Sequence, residues 1–314
     1  MTKGRDLSTA IQELHCRTGN VGVHHKIIFS ALNIPLCITA FLGNLLIIVA
    51  LQKASFLHPP SKLLLGCLAS TDLCVGLITQ PLYVTFLMIP EHTGLCRYLN
   101  IAAFPLGILL CGVSVFTLTA ISVDRLVALL LGMRYRQTVT LRRVRILVAS
   151  LWISSVAVAM TSFYNVRITT GITGVMLLSC VAISIYCYVK IYHTLRRHQA
   201  RLGDRVHQGK QSGGGMIPLN MAIYRKTVCT SLCMQITLLA CYLPYGIVAA
   251  LRPVTGESLQ LAWDVALTLI FLNSTLNPIL YCWRIRQVRE AVKNTIKQLC
   301  CLSSWKTRSG FERE

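Results

Sequence analysis

The sequence predicts an all-α protein, a seven-transmembrane helix bundle followed by a short amphipathic eighth helix. Three observations carry this. The chain has 314 residues, 54% hydrophobic and 13% charged, with a mean hydropathy of +0.59, against about 25% charged residues in soluble domains. Seven apolar runs, each of about 20 residues and so long enough to cross a bilayer, are separated by polar connectors. Basic residues also alternate between connectors. With the N-terminus outside, Lys3, Arg5, Arg17, Lys26, Arg97, Arg167 and Arg252 face outward, and the other 24 of the 31 Lys and Arg face inward. The acids split five and five, with Asp72 left inside the membrane. A Lys/Arg bias without an Asp/Glu bias is the positive-inside pattern. It accounts for the net charge of +20 with no nucleic-acid partner.

The first run, Ile27 to Leu51, carries Gly43-Asn44. The second, Leu63 to Ile89, holds one charge, Asp72, and a Pro81 that should kink it. The third runs from about Leu99 to Leu131; no charged residue occurs between Tyr98 and Val123, and Asp124-Arg125 follow. The fourth, Ile146 to Tyr164, contains Trp152. The fifth spans about Thr173 to Tyr192, and the sixth, Thr227 to Leu251, contains Pro244. The seventh, about Leu259 to Trp283, contains Pro278. An odd number of spans puts the two ends on opposite sides. The chain thus divides into an extracellular segment at 1–26, the bundle at 27–283, an amphipathic helix at 284–301 and a cytoplasmic tail at 302–314.

Residues 1–26 are polar and the first run is long enough to span, so no cleavable leader is expected. Residues 193–224 are basic and include Gly213-Gly214-Gly215, a flexible connector without the Gly-Lys-Ser/Thr of a phosphate loop. No internal repeat is evident, against the inverted-repeat transporters. After Tyr281, Ile285, Val288, Val292, Ile296 and Leu299 recur every three or four residues with bases between them. That pattern is an amphipathic helix on an anionic leaflet. Cys300-Cys301 at its end read either as a palmitoylated second anchor or as two unmodified thiols. Ten of the fourteen cysteines lie in apolar spans, where Cys behaves as a small hydrophobe, and none has zinc spacing.

Two polar features inside the apolar spans ask for a physical reason. A carboxylate at mid-span costs about 2.5–3.5 kcal/mol on insertion scales, so Asp72 should face the bundle and have partners. Asn44, Ser114, Asn273, Ser274 and Asn277 are candidates. One acid among neutral oxygens can hold a small cation such as sodium, or it can sit in a hydrogen-bond network without an ion. Asp124-Arg125 reads either as an ion pair reaching for headgroups or as a switch.

Gly43-Asn44, Leu68-Ala69-Ser70-Thr71-Asp72, Asp124-Arg125, Trp152, Cys241-Tyr242-Leu243-Pro244 and Asn277-Pro278-Ile279-Leu280-Tyr281 fall one per span, in order. With these motifs the chain resembles a rhodopsin-like (class A) G-protein-coupled receptor over residues 27–301. Trp283-Arg284-Ile285-Arg286 and Met133-Arg134-Tyr135 look most like its adenosine-receptor neighbourhood. The resemblance implies a multi-pass plasma-membrane receptor that passes an extracellular ligand signal to a heterotrimeric G protein, among membrane lipids. It makes Asp72, Ser114, Asn273, Ser274 and Asn277, with Asn44 nearby, a sodium pocket. It makes Arg125 the residue that swings out to the G protein, with Tyr188 and Tyr281 meeting through water in the active state. Tyr242 and Pro244 become the activation hinge. Ser303, Ser304, Thr307 and Ser309 become sites for a receptor kinase, with arrestin as a further partner.

The departures from the family pattern are specific. Leu126 replaces the Tyr of Asp-Arg-Tyr, Tyr242 the usual Trp, Leu238 the usual Phe, and Cys180 the usual Pro. Tyr224 stands where many members carry a Glu that clamps the arginine. Arg125 is therefore expected to be held mainly by Asp124, and basal signalling to be raised. The connector between spans four and five, about eight residues, contains no Cys for the family bridge. Cys96 then has Cys16 as its outer-side candidate, the other reading being two free thiols.

Ligand-facing candidates, from helix position, are Thr85, Met88, Phe104, Gly107, Ile108, Cys111, Ile172, Met176, Tyr245, Gly246, Ala249, Trp263, Leu267 and Phe271. No buried carboxylate stands among them. Gly107 takes the place of the aspartate of amine receptors. Ala249 and Phe271 stand where adenosine receptors hold adenine and ribose, and Leu82, Asn100 and Phe104 replace the acids of melanocortin receptors. Phe271 also takes the place of the opsin lysine. The expected ligand is an apolar small molecule, a lipid or a small peptide. A transporter or channel is the alternative, but Asp72 has no ionisable partner at its depth. No Ser/His/Asp or His/Glu set shares one depth, so no enzyme is expected.

Overall fold

The computed structural model describes residues 22–53, 58–89, 94–207, 218–255, 259–284 and 288–298, and every regular element among them is helical. Seven long helices follow one another: α1 Val23–Lys53, α2 Pro59–Met88, α3 Gly94–Leu131, α4 Leu141–Thr161, α5 Val166–His207, α6 Pro218–Thr255 and α7 Gln260–Arg284. Six of them are long and apolar enough to cross a membrane, and α6 adds the apolar stretch Gln235–Leu251.

The helices outrun the apolar spans. α3 begins at Gly94 and α5 runs from Val166 to His207, because hydropathy marks only the part in lipid whereas capping sets the ends. Asn165 Oδ1 accepts from the backbone N–H of Arg167 and Ile168 at 2.9 and 3.2 Å. This cap starts α5 earlier than its hydropathy suggests and leaves only four residues, 162–165, between α4 and α5. With Cys180 in place of proline, α5 continues unbroken.

α3 is central, packed on α2, α4, α5 and α6, while α7 packs on α6, α1 and α2 and closes the ring. The apolar stretch of α2 is 61% buried and that of α4 17%, so α4 is a rim helix. Its Ile146, Ile153 and Met160, like Ile28, Ile34 and Ile38 of α1, point outward. Such faces suit acyl chains. The interior is correspondingly polar: Asn33, Asn44, Asp72, Gln80, Asn273 and Asn277 are fully buried.

Pro81 does not simply kink α2. A π-helical turn, Val75–Thr79, precedes it, with the Gln80 N–H reaching back to the Val75 carbonyl. Proline lacks the N–H and its ring crowds the carbonyl four residues back; one extra residue per turn absorbs both problems. This turn also lets α2 touch α1. A Cβ on Gly76 would stand 2.8 Å from the Phe41 backbone N and 3.0 Å from the Cys37 carbonyl O, and the Cys37 thiol already donates to the Gly76 carbonyl at 2.8 Å. Backbone cannot yield as a flexible side chain can. Gly76→Ala should therefore cost about 1–3 kcal/mol by overpacking, read as a lower thermal midpoint of the purified protein; an unchanged midpoint would mean the helices separate freely here.

Residues 288–298 are helical again. Val288 and Val292 are buried against the core that contains Ile47, Leu65 and Tyr281, whereas Ile296 is exposed. Val288 and Val292, the second and third members of the apolar stripe, thus face the bundle; Ile285 and Leu299 lie outside the described residues. Cys16, Cys300 and Cys301, and the side chains of Cys96 and Tyr224, lie outside the described residues.

Candidate functional site

Three polar centres lie along the bundle. At one end, Asp124 of α3 pairs with the neighbouring guanidinium, Arg125 Nη2 to Asp124 Oδ2 at 3.0 Å. Sequence reasoning missed what fixes that carboxylate. Tyr135, in the α3–α4 connection, donates to Asp124 Oδ1 at 2.6 Å, and Ser61 of α2 donates to Oδ2 at 3.0 Å. Both donors follow from the fold. Ser61 sits in the first turn of α2, and Gly132 (φ +52°) turns the chain after α3 in the left-handed region that favours glycine. Leu126, in place of the usual Tyr, is buried in a cluster with Cys187, Tyr188 and Ile191 of α5. Outside the spans, at the entry to α2, burial and the nearby Arg136 hold the His58 imidazole below its ordinary pKa.

At mid-bundle Asp72 is fully buried and accepts from α7 and α3. Asn277 Nδ2 donates to Oδ2 at 2.7 Å, Ser274 Oγ to Oδ1 at 2.9 Å and Ser114 Oγ to Oδ1 at 3.5 Å. Asn44 has a different task. Its Nδ2 donates to the Ser274 carbonyl at 3.0 Å, which has no helical donor because the residue four on is Pro278. A Cβ on Gly43 would meet the Pro278 ring at 3.1 Å, so glycine permits the approach of α1 to α7. Asn273 has both amide atoms, and Asn277 its Oδ1, buried without a hydrogen-bond partner among the described residues. Carboxylate, hydroxyl and amide oxygens around one buried charge form a donor set that fits a small hard cation.

Tyr188 Oη lies 3.0 Å from Ser122 Oγ. Tyr281 is 1% exposed, and its hydroxyl has no partner among the described residues. The two tyrosines belong to separate buried clusters. Tyr242 packs with Cys241 and Leu238 in the central core, and Pro244 follows it in α6.

At the other end lies a cavity of about 1010 Å³ between α2, α3, α4, α5, α6 and α7. Phe104, Gly107, Ile108, Cys111, Met176, Tyr245, Gly246, Ala249, Trp263, Leu267 and Phe271 line it; Thr85, Met88 and Ile172 do not. Thr85 and Met88 are exposed. The π turn explains the difference: one inserted residue rotates the rest of α2 by about 100° and brings in Tyr83 and Phe86 instead.

The expected absence of a buried carboxylate is overturned. Asp264 of α7 lines the cavity and is 2% exposed. It accepts from Tyr83 Oη at 2.9 Å, from His25 Nε2 of α1 at 2.9 Å, and from Gln260 Nε2 at 3.2 and 3.3 Å. In sequence Asp264 lies five residues into the seventh run, and its place near the outer end of that run counts it among the five outward acids. Its burial depends on His25, 239 residues away.

Comparison with known proteins bears on the family of the chain. The family model described as 7 transmembrane receptor (rhodopsin family) matches residues 43–171 and 161–281. The chain is 25% identical to the adenosine receptor A2b of Homo sapiens, over 90% of this chain and 94% of that one. It is 27% identical to the A2b receptor of Bos taurus, over 90% and 93%. It is 25% identical to the adenosine receptor A3 of Ovis aries, over 82% and 85%.

Proposed function

Because the chain belongs to the rhodopsin family of seven-transmembrane receptors, we propose that it carries the binding of an extracellular ligand to a cytoplasmic heterotrimeric G protein. One observation supports this above the others: an arginine paired within a hydrogen-bonded cluster stands at the end of the bundle opposite a cavity of about 1010 Å³. A cavity alone would suit a transporter, but a transporter has no need of a guanidinium restrained at the far end.

The proposed mechanism is a two-state bundle. In the resting arrangement Asp124, fixed by Ser61 and Tyr135, holds Arg125. Ligand in the cavity touches α6 at Tyr245, next to Pro244, and at Ala249, just over one turn beyond it. It favours an arrangement in which α6, hinged at that proline, moves outward at its other end and Arg125 reaches the G protein. Only a ligand with different affinities for the two arrangements can shift them. The ligand has a largely apolar body, in keeping with Phe104, Ile108, Met176 and Leu267. The relatives are named for adenosine; Ala249 and Phe271 here do not reproduce the adenine and ribose positions that the resemblance assigns, which argues for a different ligand. Asp72, Ser114, Asn273, Ser274 and Asn277 are proposed to hold a sodium ion, which when bound would supply a counter-charge to Asp72. The basic connectors and residues 288–298 are proposed to lie toward the cytoplasmic leaflet.

The test is nucleotide exchange on a co-expressed G protein. Arg125→Ala should abolish it while leaving surface expression intact. Exchange that survives, or ion flux that is indifferent to the substitution, would favour the channel or transporter alternative.

A further inference from the structure

We propose that Asp264, with Tyr83 and Gln260, anchors the positive group of a monocationic ligand whose apolar body fills the cavity, and that His25 occupies this anchor in the ligand's absence. The inference rests on the reading of the cavity as the ligand site.

Asp264 is the one carboxylate among the described lining residues. A buried carboxylate is stable only when paired and hydrogen-bonded. Its partners are a phenol, an amide and an imidazole, with no Lys or Arg pairing it among the described residues. The histidine comes from α1, which contributes no side chain to the cavity lining; it reaches Asp264 from behind that wall, and its side chain is 17% exposed. It is the partner most easily moved aside. An ammonium or guanidinium in its place gains a charge-assisted hydrogen bond and keeps the bonds from Tyr83 and Gln260.

The walls beside the carboxylate favour a cation as well. Tyr83 pairs with Phe271 at 5.4 Å between ring centroids, and Tyr245 with Trp263 at 5.1 Å; all four line the cavity. Aromatic faces around a desolvated cation add attraction. Gly107 offers no acid on α3, so the anchor lies on α7, beside Tyr83 of α2. The other charged lining residue, Arg167 at the start of α5, opposes a second positive charge at the far wall. That limits the ligand to one.

The full-length receptor, purified in lipid nanodiscs, is to be assayed by thermal unfolding. The probes are phenethylammonium, tryptammonium and benzyltrimethylammonium at millimolar concentration, with phenylethanol and tryptophol as uncharged matches. At least one ammonium should raise the midpoint by several degrees, and the alcohols should not. Asp264→Asn should remove the shift, and His25→Ala should tighten ammonium binding about tenfold by removing the competing occupant. No ammonium-specific shift, a shift retained in Asp264→Asn, or an affinity unchanged or weaker in His25→Ala would each overturn the proposal. If Asp264→Asn does not fold, the His25→Ala comparison decides. No G protein enters this measurement. Failure here with Arg125-dependent exchange intact removes the anchor alone, and the reverse pattern removes the signalling reading alone.

Discussion

Asp124→Asn should raise ligand-free nucleotide exchange roughly 10- to 100-fold, the range set by about 1.5–3 kcal/mol for a charged hydrogen bond made only in the resting arrangement. The substitution keeps the shape of the side chain and removes the charge that holds Arg125 Nη2 at 3.0 Å. Tyr135→Phe and Ser61→Ala should act in the same direction but less, since they leave the charge and loosen its position; their bonds are 2.6 and 3.0 Å. If both work through Asp124, their effects should vanish in the Asp124→Asn background, because groups that act as a unit are not additive. Basal exchange measured at matched surface expression decides this. Additive effects would mean that Tyr135 and Ser61 act on something other than the arginine's tether. Tyr224→Glu, which would supply the family's clamping acid, should lower basal exchange in the wild-type background.

This changes the sense of the Asp124-Arg125 pair. Read from the sequence, the arginine rests mainly on its neighbour, because Leu126 and Tyr224 replace two usual restraints. The fold adds two others. Ser61 is 63 residues from Asp124 along the chain, and no local pattern connects them. Tyr135 is only 11 residues away, but its direction depends on the turn at Gly132.

The same division runs through the rest of the molecule. The seven spans are legible because lipid demands apolar length and charge asymmetry, both of which composition records directly. The Asp72 set is legible because each member is a polar residue in an otherwise apolar span. Asp264 is illegible for the opposite reason. It stands near the outer end of the seventh span, where an acid can reach water, and its burial is a property of α1 and α2 packing on α7. The faces of α2 beyond Thr79 are misread because a uniform 3.6-residue period passes over the π turn. Asn44 illustrates a subtler limit. Its type and burial were predictable, but its partner, the Ser274 carbonyl, is set free by a proline on another helix.

Asp72→Ala should lower the thermal midpoint of the purified receptor by more than Asp72→Asn does. Alanine leaves Asn277 Nδ2 and Ser274 Oγ, now bonded at 2.7 and 2.9 Å, without an acceptor, at about 1–3 kcal/mol for each buried donor. Relief from burying the charge, about 2.5–3.5 kcal/mol on insertion scales, offsets part of this. The relief is incomplete because the separated helices in lipid would carry the same charge, so the orphaned donors decide the sign. Asparagine keeps an oxygen for one donor, and the Ser274 hydroxyl can turn to accept. The cation is tested separately by exchanging sodium for choline at constant ionic strength. Wild type should be more stable in sodium, and the difference should disappear in both variants, since neither retains the charge. A sodium effect that persists in Asp72→Asn places the ion elsewhere. Equal midpoints for the alanine and asparagine variants would instead show that the hydrogen bonds from α7, and not the carboxylate's charge, are dispensable to the packing of α2 on α7.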